Sequence, residues 1–198
     1  MRKSLRGYLV EAQPYQRFLL QVAALFALTA VLLAVVFVAD DRPWDARASW
    51  RQPLAFSVAF ALVLPSLAWV MTFLPPRRRL GWAVSGPLGV AALGTVVIIA
   101  LQAWREQPAF FPEDFPLDNA LWTGMQIGIG FIVLTIVLEA VWALTPLEAS
   151  PSFRWAVRAG LLLMVAGLAM GGVMVAEGCR SGSRQRGAGT GELPGDLR

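Results

Sequence analysis

Five long stretches of apolar residues decide what this chain can fold into. Each is at least about 20 residues long and holds at most one charged residue. An α-helix of that length crosses the ~30 Å hydrocarbon core of a lipid bilayer. The sequence therefore predicts an all-α fold, a polytopic transmembrane helical bundle over residues 1–176. The predicted spans are residues 18–39, 54–74, 81–104, 120–144 and 155–176.

The low content of charged residues supports this assignment. Asp, Glu, Lys and Arg make up 15% of the 198 residues, against about 25% in soluble domains, so much of the surface is expected to face lipid. A cleaved signal peptide is the alternative for the first stretch. Its apolar region is normally about 7–15 residues long, so a retained span is favoured. Residues 177–198 hold six glycines and no aromatic residue, which predicts a disordered tail.

The distribution of basic residues predicts the orientation. With the N-terminus inside, the inner segments carry nine Lys and Arg residues near span ends and the outer loops carry four. Cytoplasmic segments are enriched in these residues, so we expect a bacterial inner-membrane protein with a cytoplasmic N-terminus. Short basic blocks beside spans are typical of membrane orientation, so the expected partner is the lipid bilayer and nucleic acid is not expected.

The residue inventory excludes several kinds of site. The chain has no histidine and a single cysteine, Cys179. Histidine-based zinc or haem ligation, a histidine general base and an intramolecular disulfide are therefore excluded. No other pattern points to a nucleophile or a ligand set, so we predict no catalytic residue, no cofactor and no metal site, and we do not expect an enzyme.

Two ionisable residues lie inside predicted spans, Glu139 in the fourth and Arg158 in the fifth. Charges at membrane depth are costly unless they are paired. The two spans are joined by a short turn and should lie side by side, so we predict a Glu139–Arg158 ion pair that pins this hairpin. The alternative is a role in a proton or substrate path.

Small residues at fixed spacing predict close helix packing. Gly124 and Gly128 form one Gly-x-x-x-Gly pair, and Gly167 and Gly171 form another. Such pairs let helix backbones approach each other where lipid supplies no hydrophobic drive. Packing within the chain is the favoured reading, and association with a second copy or another membrane protein is the alternative.

Two amides lie near the outer ends of successive spans, Gln102 in the third and Gln126 in the fourth. An amide in an apolar environment needs a hydrogen-bond partner. We predict a hydrogen bond between these two side chains, with a ligand contact as the minority alternative.

The segments WRQPLAFS (50–57), IIALQAWR (98–105) and PLD (116–118) carry a resemblance to a known family. The first resembles a W-x-K-P-x-K-F-x-x-S motif that opens the second span in a family of uncharacterised bacterial multi-pass inner-membrane proteins. The others resemble that family's Q-A-x-R-G-x-x-S-H-F-N outer loop and the T-P-x-D that follows it. This chain departs from both motifs, because it lacks their lysines and their histidine. The resemblance implies further spans beyond residue 198 and no established activity.

These observations favour a structural or accessory membrane protein over a catalyst. A small transporter or channel component is the alternative. The support for this alternative is Pro65 and Pro87, which can kink the second and third spans, together with the glycines of the third span. A transport path should carry polar residues through the middle of the bilayer, and the sequence shows no such stripe.

Overall fold

The described part of the chain folds into five α-helices, and each is long and apolar enough to cross a membrane. The computed structural model describes residues 12–39, 49–107, 116–145 and 150–189. The predicted all-α architecture with five membrane-capable helices is confirmed. The helices are α1 Pro14–Ala39, α2 Arg51–Val70, α3 Arg78–Trp104, α4 Pro116–Trp142 and α5 Pro151–Gly189.

The helices begin a few residues before the apolar stretches that predicted them. Helices α1, α4 and α5 each start at a proline, a residue whose fixed φ and missing N–H suit the first helical position. The apolar stretches mark only the part of each helix that needs a hydrocarbon environment, and a helix continues into the polar interface without cost. Pro65 and Pro87 lie inside α2 and α3, which both continue past them.

Helix α5 differs from its prediction at the C-terminal end. It continues from residue 176 to Gly189, where the sequence predicted a disordered tail, and residues 190–198 lie outside the described residues. The segment after 176 is rich in arginine and glycine, and it also holds Glu177, Gln185 and Ala188. Arginine, glutamine, glutamate and alanine all favour helix, which agrees with the continuation of α5 to Gly189.

The core lies among α1, α2, α3 and the inner face of α4, and it is apolar. Leu19 and Phe26 of α1, Leu64 of α2, Leu88 of α3 and Ile136 of α4 are all buried. Helix α1 approaches α3 closely at two glycines. A Cβ atom at Gly81 would lie 2.7 Å from the Tyr15 ring, and one at Gly89 would lie 2.6 Å from the Phe18 ring.

Helix α5 packs against the core along one side of its first half, where Met164, Val165 and Leu168 are partly buried. The Phe153 ring lies 4.7 Å from that of Phe73 and 5.5 Å from that of Trp69, at the end of α2. Val157 and Leu161 are buried. Of the most apolar 18-residue stretch of α5 only 6% is buried, against 44% for α3. Helix α5 is therefore a peripheral element beside a four-helix core.

Candidate functional site

A buried polar cluster joins the end of α3 to the start of α4. Arg105 Nη1 donates a hydrogen bond to Gln102 Oε1 at 2.9 Å and forms an ion pair with Asp118 Oδ1. Gln102 and Asp118 are 1% and 2% exposed, and the Arg105 side chain is 32% exposed. The guanidinium therefore neutralises a buried carboxylate and covers a buried amide, which holds the two helix ends together.

The local backbone explains how Arg105 reaches this position. The Gln107 amide donates to the Gln102 carbonyl at 3.0 Å, and the Glu106 amide donates to the Ala103 carbonyl at 3.3 Å. These two bonds define a Schellman motif, which normally places glycine at the left-handed position. Glu106 occupies that position with φ 58°. The motif ends α3 abruptly and leaves the Arg105 side chain directed at α4.

The start of α2 lies at the same end of the bundle. Phe56 packs against a small cluster formed by Ile99 of α3 and Met125 of α4. Ser57 is buried, and its hydroxyl donates to the Pro53 carbonyl at 2.7 Å. The three segments that carry the family resemblance therefore meet at one end of the fold.

The predicted hydrogen bond between Gln102 and Gln126 is not formed within the described part of the chain. Gln102 instead accepts from Arg105, and Gln126 is half-buried on α4. A charged donor forms a stronger hydrogen bond than a neutral amide. In the sequence Arg105 is a loop residue at the end of a span, and no spacing rule shows that it competes for Gln102.

The predicted Glu139–Arg158 ion pair is absent, and this is a correction. Arg158 Nε donates to the Ala143 carbonyl at 3.0 Å, and Nη2 donates to the carbonyls of Leu144 at 3.1 Å and Thr145 at 3.4 Å. Arg158 therefore caps the C-terminus of α4, where the last carbonyls lack helical partners and the helix dipole is negative. The hairpin is pinned by this arginine, but through backbone oxygens.

Glu139 is fully buried, and neither carboxylate oxygen has a hydrogen-bond partner among the described residues. The indole Nε1 of Trp142 is also buried without a partner there. The two residues are three positions apart, so they share one face of α4. Ile132 and Ile136 continue that face towards the bundle interior. An intramembrane acid in such surroundings is a candidate functional group.

The two predicted glycine pairs have different surroundings. A Cβ atom at Gly128 would lie 2.8 Å from Thr95 Oγ1, and one at Gly124 would lie 3.6 Å from the Ile98 side chain. Both glycines therefore lie where α4 meets α3. Gly167 and Gly171 have no heavy atom within 4 Å of such a Cβ. The favoured packing of that second pair within the chain is therefore not found among the described residues.

A groove of about 510 Å³ runs between α3 and α4. Glycines and apolar side chains line it, with Thr95 as the polar member. Thr95 is 2% exposed, and its hydroxyl has no hydrogen-bond partner among the described residues. The groove cannot hold a charged solute, because its lining offers no compensating group.

Comparison of the chain with family models, with curated proteins and with solved structures gives no match. In the described ranges no three His, Cys, Asp or Glu side chains are grouped to hold a metal ion. The fold and its polar groups define a helical membrane protein of the multi-pass class. One polar cluster joins two helix ends, and one acid is buried near the opposite end of α4.

Proposed function

We propose that this chain is an accessory subunit of the bacterial inner membrane, with its N-terminus in the cytoplasm and α5 facing a partner helix. The observation that carries the proposal is the packing of α5, of which 6% of the most apolar stretch is buried. Helix α5 contributes Val157 and Leu161 to the buried core, and most of its remaining apolar surface is left for another helix.

The surface of α5 supports a helical partner. Leu162, Leu163 and Met170 are exposed, and an added Cβ at Gly167 or Gly171 would meet open space. Small residues between larger apolar ones allow close approach of a second helix in a membrane. The partner is another membrane protein or a second copy of this chain.

The test is purification of the tagged full-length chain from native membranes in mild detergent, followed by native mass spectrometry. We expect a stoichiometric protein partner that is lost in the double variant Gly167→Leu, Gly171→Leu. Gly130→Leu is the matched control, because Gly130 also faces open space but lies on α4. A monomer without a partner, or a partner that survives the α5 double variant, would contradict the proposal.

A small transporter or channel component is the second candidate, and Glu139 favours it. The carboxyl is buried at membrane depth with no hydrogen-bond partner among the described residues, and such residues mark proton and ion paths in membrane proteins. Proton flux in proteoliposomes tests this role. Flux that Glu139→Gln abolishes and Glu139→Asp partly retains would support transport, and flux equal to that of protein-free vesicles would exclude it.

We also propose that the chain is a divergent relative of the bacterial multi-pass family that it resembles. The support is the meeting of the resembling segments, since Gln102, Arg105 and Asp118 form one cluster and Phe56 packs beside it. Covariation of these positions in an alignment of relatives would test the relationship.

A further inference from the structure

The groove between α3 and α4 has the length of one membrane leaflet. Its lining on α3 extends from Gly86 to Ile98, which corresponds to about 18 Å of helix. Each leaflet contributes about half of the ~30 Å hydrocarbon core. One extended acyl chain of a lipid therefore matches the groove in length.

The protein itself leaves the groove open. A Cβ atom added at Gly86 or Gly94 would meet no heavy atom within 4 Å. The walls are formed by apolar side chains that are themselves exposed, with Val90 at 65% and Ile127 at 57%. Because water is absent at this depth, a membrane component has to fill the space.

A cation lies at the end of this groove. Arg105 follows Ile98 by two helical turns, so both residues lie on the same face of α3. The guanidinium is 32% exposed, and the two contacts it makes among the described residues both use Nη1. Its outward donors match the charge and the oxygen geometry of a phosphate.

We infer that the α3–α4 groove binds an anionic phospholipid, with one acyl chain along Gly86–Ile98 and the phosphate on Arg105. The outward N–H donors of Arg105, whose charge is already balanced by Asp118, select this occupant over a partner helix, which would bring no phosphate oxygens to the groove end. Thr95 gives the floor one hydroxyl about 15 Å below the guanidinium. This binding goes beyond the accessory role and does not depend on it.

The test compares two lipids with identical acyl chains, phosphatidylglycerol and phosphatidylcholine, on the full-length protein released from mixed nanodiscs into a native mass spectrometer. We expect the wild-type protein to retain one phosphatidylglycerol in preference to phosphatidylcholine. The double variant Arg105→Gln, Asp118→Asn removes the cation without leaving a buried carboxylate unpaired. It should reduce the preference about tenfold, the loss expected for one charge-assisted hydrogen bond.

The binding of the acyl chain in the groove is tested separately. Gly94→Leu places a side chain in the groove from a position where an added Cβ meets open space, and it should remove the retained lipid. Gly130→Leu, outside the groove on α4, should retain it. Equal retention of the two lipids by the wild-type protein would overturn the inference. So would equal behaviour of the two leucine variants, or a bound protein helix that Gly94→Leu displaces while no lipid is retained.

Discussion

At the scale of single residues, Arg158 shows how a membrane charge is stabilised without a counter-charge. Its guanidinium binds three carbonyls at the end of α4, where four carbonyls lack helical partners. Glu139 lies on the inward face of the same helix and is not reached by this arginine. The two charges therefore act independently, although sequence spacing places them in neighbouring helices.

A double-mutant cycle tests this independence. Arg158→Gln should lower the free energy of unfolding by about 1 kcal/mol, because the α4 carbonyls lose their donors. Glu139→Gln should leave it unchanged or raise it slightly, because no partner is lost. The coupling energy should stay below about 0.5 kcal/mol. The measurement is unfolding in mixed detergent micelles. A coupling energy of several kcal/mol would contradict the independence and indicate a Glu139–Arg158 ion pair.

Glu106 is a second residue whose role is set by its backbone. Its φ of 58° lies in the left-handed region, which costs a residue with a Cβ about 1 kcal/mol relative to glycine.

Replacing Glu106 by glycine should therefore raise the free energy of unfolding by about 1 kcal/mol. Glu106→Ala is the matched control, because it removes the charge and keeps the strained conformation. Thermal unfolding in detergent measures both variants. If alanine stabilises as much as glycine, the charge and not the backbone would be responsible.

At the scale of elements, α3 uses four glycines in two different ways. Gly81 and Gly89 face aromatic rings of α1 at less than 3 Å from an added Cβ, while Gly86 and Gly94 face open space. The first two allow α1 to pack closely, and the other two leave the groove beside α4. Both uses come from one helix because successive glycines point in different directions around its axis.

Paired alanine substitutions distinguish the glycines that pack against α1 from those that line the groove. Gly81→Ala with Gly89→Ala should lower the free energy of unfolding by about 1–3 kcal/mol per site, because each methyl group overpacks a contact with α1. Gly86→Ala with Gly94→Ala should leave it unchanged or raise it by up to about 1 kcal/mol per site through helix propensity. The apparent melting temperature in detergent compares the two pairs. Equal losses in both would show that the glycines act through the helix backbone alone.

At the scale of the whole molecule, the antiparallel helices place each connection at a fixed end of the bundle. Arg77 at the end of the α2–α3 connection is followed by Arg78 and Arg79 in the first turn of α3, and the turn after α3 holds Arg105 and Glu106. The positive-inside rule supports the proposed orientation, in which the first of these ends lies in the cytoplasm. The opposite orientation would leave three arginines outside with little compensation.

Cysteine labelling tests this orientation in intact cells. In a Cys179→Ser background, Glu106→Cys should react with a membrane-impermeant maleimide, because the proposed orientation puts this end of α3 outside. Arg78→Cys should react only after the membrane is opened. External labelling at residue 78 with protection at residue 106 would reverse the topology.

The sequence by itself determined the number, type and approximate limits of the helices. Apolar stretches of that length have no other stable arrangement in a bilayer, because every backbone N–H and C=O must be paired within the segment. Spacing also marked Gly124 and Gly128 as a pair that can allow close helix packing. These features depend on residues that are close together in the chain.

Only the tertiary structure decided which polar groups meet. From the sequence, Arg158 could bind either the Glu139 carboxylate or the C-terminal carbonyls of α4. Gln102 could likewise bind either the Gln126 amide or the Arg105 guanidinium. Which of these contacts forms depends on distances between side chains in the folded protein, and spacing along the chain does not give those distances. The same holds for the glycines, since Gly128 and Gly171 look alike in sequence and differ only in whether another helix is there to meet them.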